Sequence, residues 1–286
     1  MALIPEHFED FEVGLYGGAM ENQYRKMRPE VMEMPWGSIA AEVHQYPDKV
    51  IQKARRIWTM AAFQEYRTGA SVMDALQQMI EVRAPIDMLA VATRFPLDEI
   101  AHVEMCGRIL AEVGGAVRLL HDPKHMTAPK NPDIEPLLQC AETIIRVFGV
   151  GEAVSIPILR TSGQKATHPL VGAVLMRIAQ DEAMHGQFAW FFLDWCLDAF
   201  DADEKHYLAS AAREQIDTLL DAWAIFAEPN EEEITEARLG WMDPETYFSV
   251  AHESLDTAVI KPLAKRGLDP RLIRPIEGHP HPLMTS

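Results

Sequence analysis

Apolar residues recur at helical spacing along most of this 286-residue chain. Sustained alternation of apolar and polar residues is nearly absent, and no Asn-Gly or Asp-Gly turn separates two β-branched runs. A chain with this pattern can bury its apolar faces only by packing helices against helices. The sequence therefore predicts an all-α fold.

Capping and breaking residues set the expected ends of the helices. Asp48 can cap the first helix, Gly114-Gly115 stops the second, and Pro96 is expected to bend the second. Pro157 is expected either to distort the third helix or to end it early. The predicted helices span residues 47–79, 85–113, 133–159, 169–200, 203–226 and 243–264.

The connection between the second and third helices, residues 114–132, is long. About 20 residues at roughly 3.3 Å each can cross the full length of a long helix. Four long helices with one long connection in the middle match a four-helix bundle with a single crossover, formed by residues 47–200. Residues 1–46 are expected to form an irregular segment packed on this bundle, residues 201–270 additional helices of the same domain, and residues 271–286 a tail.

Charge and composition exclude several classes of function. The formal net charge is −17, so no net positive field attracts nucleic-acid phosphates or anionic lipids. The longest apolar runs, such as Phe188 to Trp195, are too short to span a bilayer, and the first residues contain no basic stretch. Cys106, Cys140 and Cys196 are too few for a disulfide framework and form no C-x-x-C pair. We expect a cytoplasmic protein with reduced thiols that binds neither nucleic acid nor membrane.

Two copies of one motif, D-E-x-x-H, stand in the second and fourth predicted helices. Positions i and i+3 of a helix lie about 5–6 Å apart on one face, so the glutamate and histidine of each copy can bind one metal ion. A single E-x-x-H is more often part of a solvated face, but chance rarely produces two copies that both follow an aspartate. A metal-bound imidazole usually donates its other N–H to a carboxylate. The expected pairs are Asp98 with His185 and Asp181 with His102.

One glutamate interrupts the apolar face of each remaining long helix: Glu65 in the first and Glu152 in the third. Glu65 stands 34 residues before Glu99, and Glu152 stands 30 residues before Glu182, as expected of two antiparallel helix pairs. A di-metal carboxylate centre in such a bundle takes a glutamate from each of two helices and a Glu-x-x-His from each of the other two. The predicted metal ligands are Glu65, Glu99, His102, Glu152, Glu182 and His185. Four carboxylates and two imidazoles suit zinc poorly, so two Fe ions are the favoured occupants, with Mn or a mixed Mn/Fe pair as the alternative.

At these six ligands and two aspartates the chain resembles the ferritin-like non-haem di-iron carboxylate superfamily. Its members include the hydroxylase subunits of bacterial multicomponent monooxygenases, the small subunit of ribonucleotide reductase and arylamine N-oxygenases. The resemblance covers residues 47–200 and implies an oxidoreductase in which two Fe ions activate O2 as co-substrate. It implies that a small organic substrate is hydroxylated, N-oxygenated or desaturated, with Glu65 and Glu152 as catalytic ligands. The sequence contains no G-x-G-x-x-G and no cysteine cluster, so electrons are expected from an external donor or reductase, or from the substrate itself.

The resemblance also places both histidines on one side of the metals and the open coordination positions on the other, facing the first and third helices. Residues one turn from Glu65 and Glu152 would then form the wall of a substrate pocket. They are Ala61, Ala62, Thr68, Gly69, Phe148, Gly149 and Ile156. Small side chains beside a ligand cluster leave volume for a substrate, although close packing against a neighbouring helix would also explain them.

Two other functions fit the same ligands. A ferroxidase or another metal-handling protein would oxidise Fe(II) without an organic substrate and would assemble into a cage. A dimanganese enzyme would disproportionate peroxide and would be recognised by its metal content. The helices predicted after residue 200 argue against simple iron storage. For the oligomeric state, a homodimer is the alternative to a cage.

Overall fold

The computed structural model describes residues 7–128, 130–226 and 237–273, apart from the side chains of residues 223–226. Most of these residues are helical, which confirms the predicted all-α class. Two short strands, β1 (Glu9–Asp10) and β2 (Leu120–His121), pair antiparallel. Within the described ranges, no helix is long and apolar enough to cross a membrane.

The N-terminal segment, residues 7–46, is more regular than its glycines and prolines predicted. It contains α1 (Gly18–Met27), α2 (Glu30–Glu33) and α3 (Ser38–Glu42), followed by one 3-10 turn at Val43–Gln45. Gly37 precedes α3 with a φ of 90°, a left-handed conformation that suits glycine. The expected irregular segment is therefore a series of short helices separated by Pro29 and Pro35.

The first two predicted helices are observed with two corrections. α4 (Asp48–Glu81) begins where predicted, but Asp48 is its first helical residue and does not cap it; Pro47 stands at the cap position, and no side chain caps the helix. The second helix is divided into α5 (Ile86–Ala92) and α6 (Phe95–Glu112), so Pro96 does not bend a continuous helix. Pro96 stands in the first turn of α6, where the N–H that proline lacks would have no helical partner.

The third helix continues through Pro157. It comprises α7 (Pro136–Ile144), a π-helical segment (Ile145–Glu152) and α8 (Ala153–Lys165). Pro157 has no N–H to bond the carbonyl of Ala153, four residues earlier. The hydroxyl of Ser254 donates to that carbonyl instead, at 3.4 Å. The early end that Pro157 could have caused is not observed, and the helix runs past its predicted end near residue 159.

The last helices extend the same core. The fourth long helix, α9 (Pro169–Cys196), ends in a 3-10 turn at Leu197–Ala199. It is followed by α10 (Ala202–Phe226), α11 (Pro244–Ser254), a π-helical turn (Leu255–Ile260), α12 (Lys261–Lys265) and α13 (Pro270–Ile273). Buried residues of α10, α11 and α12 belong to the same apolar cluster as those of α7, α8 and α9. The predicted tail, residues 271–286, is wrong at its start, because residues 271–273 belong to α13 and Ile273 is buried. Residues 274–286 lie outside the described residues.

The long helices pack in pairs around a polar layer. α4 lies along α6 and α8 lies along α9, while α9 also contacts α6, and α4 contacts α7. The buried apolar residues form two clusters. The first cluster contains Ala62 of α4 and Ile178 of α9. The second cluster contains Val72 of α4 and Phe188 of α9. The predicted ligands of both helices stand between these positions, in the layer that separates the clusters.

Candidate metal centre

Six carboxylate and imidazole side chains meet in the layer between the two apolar clusters. α4 supplies Glu65, α6 supplies Glu99 and His102, the end of the π-helical segment supplies Glu152, and α9 supplies Glu182 and His185. Their donor atoms form two groups, and within each group all atoms lie within 4.8 Å of one another. One group is Glu65, Glu99, His102 and Glu182; the other is Glu99, Glu152, Glu182 and His185. The structure thus brings together all six predicted ligands.

The two glutamates that belong to both groups lie between the two histidines. Glu182 Oε1 is 3.1 Å from His102 Nδ1, and Glu182 Oε2 is 2.7 Å from His185 Nδ1. Glu99 Oε2 is 3.7 Å from His102 Nδ1, and Glu99 Oε1 is 3.1 Å from His185 Nδ1. Glu65 Oε2 lies 3.3 Å from His102 Nδ1. This arrangement suits two neighbouring metal ions that share Glu99 and Glu182, each held by one histidine.

The centre is almost fully enclosed. Five of its six side chains are buried, whereas Glu65 keeps 16% of its side chain exposed. Five buried polar atoms of this centre make no hydrogen bond: both carboxylate oxygens of Glu99, Oε2 of Glu182, and Nδ1 of His102 and His185. Buried polar atoms without a partner are costly. Bound cations would satisfy all five, and four carboxylates with two imidazoles form a donor set that suits Fe or Mn.

Burial and crowding set unusual pKa values in this cluster. Burial raises the pKa of Glu65 to about 7 and raises the pKa of Glu152 well above its usual range. Burial acts to lower the pKa of His185, but contacts with Asp98 and Glu182 prevail and raise it to about 12. Burial likewise acts to raise the pKa of Glu182, but the two imidazoles prevail and lower it. The cluster therefore requires positive charge, which protons on the histidines or bound divalent cations can supply.

Each imidazole is held on its other nitrogen by the aspartate of the other motif copy. His102 Nε2 lies 3.4 Å from Asp181 Oδ2, and His185 Nε2 lies 3.4 Å from Asp98 Oδ2. These are the two pairs that the sequence predicted. With its proton on Nε2, each ring presents the Nδ1 lone pair to the carboxylate cluster, which is the form that binds a metal.

Three arginines that sequence reasoning missed surround the two aspartates. Arg28, in the turn between α1 and α2, contacts Asp98 and lies 2.7 Å from Asp181 Oδ2. Arg177 Nε is 3.1 Å from Asp181 Oδ2, and Arg94 Nε is 3.3 Å from Asp98 Oδ2. A signal existed for two of them, because Arg94 and Arg177 each stand four residues before an aspartate and extend the repeat to R-x-x-x-D-E-x-x-H. Arg28 has no such repeat, and only the packing of the N-terminal segment reveals it.

Two glycines of the predicted pocket wall are closely packed. A Cβ on Gly69 would lie 3.3 Å from the Cβ of Glu99, and a Cβ on Gly149 would lie 3.4 Å from the Cβ of Ala189. The space beside both glycines is therefore filled by a neighbouring helix. Their small size is explained by helix packing, the alternative that the sequence left open, rather than by a cavity.

Phe148 and Ile156 also have packed surroundings. The Phe148 ring lies 5.6 Å from the ring of Phe95 and 5.5 Å from the ring of Phe188. Ile156 Cδ1 would stand 2.6 Å from a Cβ placed on Gly186, so Ile156 fills the groove beside α9. For the other three residues of the wall, Ala61, Ala62 and Thr68, a pocket stays a prediction.

Two clefts lie along α9, and the second of them borders both aspartates. Both include Arg177 and Gln180 of α9. The first has a volume of about 480 Å³ and the second a volume of about 430 Å³. The second is lined by Asp98 and Asp181 and so reaches the outer side of the pairs that hold the histidines. Their described lining residues include none of the predicted wall residues.

Comparisons of the chain with protein-family models, with curated proteins and with solved structures find no match. The class of protein is therefore defined by the fold and the site themselves. It is an all-α protein with a buried cluster of glutamates and histidines that could hold metal ions.

Proposed function

We propose that the protein is a di-iron oxidoreductase that activates O2 at the glutamate and histidine cluster and oxidises a small organic molecule. The observation that carries this proposal is the position of Glu99 and Glu182, which belong to both donor groups. Two groups with common members suit two metal ions side by side. We further propose that α4, α5–α6, α7–α8 and α9 form a ferritin-like four-helix bundle with residues 113–135 as its crossover. Glutamate and Glu-x-x-His alternate along these helices as they do in di-metal bundles of that kind.

The donor set supports iron. Four carboxylates nearly balance the charge of two divalent cations, and oxygen-rich sites with imidazole suit Fe and Mn. When bound, two Fe ions would supply the redox chemistry with O2. Glu99 and Glu182 would hold both ions, and His102 and His185 would hold one each. Glu65 of α4 and Glu152 of the π-helical segment would each bind one of the two ions.

The protein would also exclude water and control access. The two apolar clusters enclose the polar layer, which keeps bulk water from five of the six ligands. Glu65 is the ligand with exposed surface, so its side of α4 is the proposed entrance for O2 and substrate. Ala61, Ala62 and Thr68 lie within one turn of Glu65 on the same helix.

Anaerobic loading with Fe(II), followed by exposure to O2, tests this proposal. We expect two Fe ions per chain by elemental analysis and their oxidation by O2 in optical spectra. Candidate amines, aromatic compounds and acyl compounds are then supplied with an electron donor and isotopically labelled O2, and products are identified by mass spectrometry. A protein that binds one zinc ion and neither iron nor manganese after careful loading would contradict the proposal.

The packing around Gly69 and Gly149 favours a second candidate, a ferroxidase, because oxidation of Fe(II) by O2 needs no cavity for an organic molecule. A ferroxidase would oxidise many Fe(II) ions per chain with O2 alone. An oxygenase would stop once its bound ions are oxidised, unless electrons and substrate are added. The number of Fe(II) ions oxidised per chain separates the two candidates, and manganese in the isolated protein would direct attention to peroxide disproportionation instead.

A further inference from the structure

Arg28 is a buried charged residue in an otherwise exposed stretch of chain. Every residue of α1 is exposed or half-buried, whereas Arg28, directly after α1, keeps only 3% of its surface exposed. A buried arginine needs carboxylate partners, because an isolated buried charge is unstable. Arg28 has three such partners: Glu30, Asp98 and Asp181.

The Arg28 guanidinium joins the two aspartates that hold the histidines. Its Nη1 donates to Asp98 Oδ1, and its Nη2 donates to Asp181 Oδ2 over 2.7 Å. Asp98 lies 3.4 Å from His185 Nε2, and Asp181 lies 3.4 Å from His102 Nε2. A continuous polar network therefore runs along the outer side of the centre from one histidine to the other.

We propose that Arg28 is a positioning residue for both halves of the metal centre, an inference that rests on the proposed di-metal function. The planar fork of a guanidinium can bind two carboxylates at once. One side chain thereby fixes the orientation of Asp98 and Asp181 and, through them, the Nε2 proton and the ring orientation of both histidines. Glu99 and Glu182 connect the two metal positions from the inside, and Arg28 connects them from the outside.

The other two arginines do not replace this link. Arg94 approaches both aspartates, at 3.3 and 3.6 Å, but 67% of its side chain is exposed, where water weakens the attraction. Arg177 stands one turn before Asp181 on α9 and binds that aspartate. Without Arg28, two buried carboxylates would therefore lie side by side with only partial compensation of their charge.

Other contacts hold the N-terminal segment on α6 on both sides of Arg28. Arg25 donates two hydrogen bonds of 2.6 Å to Glu104. Glu112 accepts from the backbone N–H groups of Gly37 and Ile39, at 2.5 and 2.8 Å. The segment should therefore stay in place when Arg28 is replaced. Arg25 offers a matched control, since it also joins the segment to α6 but its carboxylate partners lie away from the metal centre.

Titration of the metal-free full-length protein with Co(II), followed by visible absorption, tests this role. Co(II) absorption reports binding and ligand geometry together, and a purely structural role would leave the spectrum unchanged. We expect Arg28→Gln to bind both ions about 10–100-fold more weakly, as when a residue that orients a metal-binding histidine is lost, and to show an altered spectrum. Arg25→Gln should match the wild type in both measurements. Equal weakening in Arg25→Gln, or wild-type binding and spectrum in Arg28→Gln, would overturn the proposal.

Arg28→Lys decides the question if Arg28→Gln does not fold. An ammonium group is a single point charge and cannot hold two carboxylates in the fixed geometry of a guanidinium. The Co(II) affinity and spectrum of Arg28→Lys should therefore also differ from those of the wild type. An Arg28→Lys protein with wild-type affinity and spectrum would refute the role of Arg28. The wild-type titration tests the metal centre separately from the role of Arg28. A wild type that binds fewer than two ions refutes the metal centre itself, whereas two ions in the wild type and an unchanged variant refute only the role of Arg28.

Discussion

Glu99 and Glu182 face the same two imidazoles: each turns one carboxylate oxygen toward Nδ1 of His102 and the other toward Nδ1 of His185. Glu99 comes from α6 and Glu182 from α9, the two helices that carry the repeated motif. Both glutamates belong to both donor groups, so neither group is complete without both residues. Glu65 and Glu152, in contrast, belong to one donor group each.

Removal of a shared glutamate should therefore abolish binding at both positions. We expect Glu99→Ala and Glu182→Ala to lose both ions and all O2-dependent activity, whereas Glu65→Ala should retain the ion on the other side of the centre. Elemental analysis after loading with Fe(II), together with an O2 consumption assay, measures both effects. Glu104→Ala is the control, since Glu104 also lies on α6 but pairs with arginines away from the centre. Full activity in either shared-glutamate variant would contradict the ligand assignment.

Replacement of either aspartate should weaken metal binding at one position. Asp181→Asn should affect the position of His102, and Asp98→Asn should affect the position of His185, because each aspartate lies 3.4 Å from the Nε2 of that ring. The expected loss of affinity is about 10–100-fold, the range for outer residues that orient a metal-bound histidine. Metal titration measures the loss, and circular dichroism should show an unchanged helical content. Wild-type affinity in both variants would mean that the aspartates do not orient the imidazoles.

The long helices and the six clustered side chains could be predicted because their signals are local or repeated. Helical periodicity depends on near neighbours in the chain, and four of the six residues belong to two copies of one motif. Glu65 and Glu152 were recognisable because each interrupts an apolar helix face. The same repeat, read four residues further upstream, also contains Arg94 and Arg177.

The remaining features depend on partners that are distant in sequence. Arg28 is buried where its guanidinium binds Asp98 and Asp181. No property of residues 18–33 predicts these two contacts. The carbonyl that Pro157 leaves without a helical partner accepts from Ser254, which lies 101 residues further along the chain than Ala153. Helical spacing could place Gly69 one turn from Glu65, but only the approach of α6 shows that the adjacent space is filled.

Gly69→Leu is expected to disturb the metal centre directly. A Cβ at this position would already lie 3.3 Å from the Cβ of Glu99, so a longer side chain must displace that glutamate. We expect weaker metal binding and a lower unfolding temperature, measured by titration and by thermal denaturation of the metal-free protein. A variant that binds two ions normally but rejects an organic substrate would instead locate the pocket beside Gly69.

Gly107 provides the control for a glycine in an open position of a helix. Among the described residues, a Cβ on Gly107 would meet no neighbouring atom within 4 Å. Because alanine is a better helix former than glycine, Gly107→Ala should raise the free energy of unfolding by about 0.5–1 kcal/mol. Metal binding should be unchanged. Destabilisation by this substitution would mean that α6 is more tightly covered there than the structure shows.

Ser254 and Pro157 are expected to be energetically coupled. Ser254 Oγ lies 3.4 Å from the carbonyl oxygen of Ala153 and 3.3 Å from that of Val154. Ser254→Ala should lower the free energy of unfolding by about 1–2 kcal/mol, because a buried carbonyl loses its hydrogen-bond partner. In a Pro157→Ala background the helix regains an N–H that can bond Ala153, so the same substitution should cost less. Chemical denaturation of the two single variants and the double variant measures this difference. If Ser254→Ala lowers the free energy of unfolding equally with Pro157 present and in the Pro157→Ala background, the hydrogen bond from Ser254 to the Ala153 carbonyl contributes nothing. The stabilising bond would then be the one to the Val154 carbonyl.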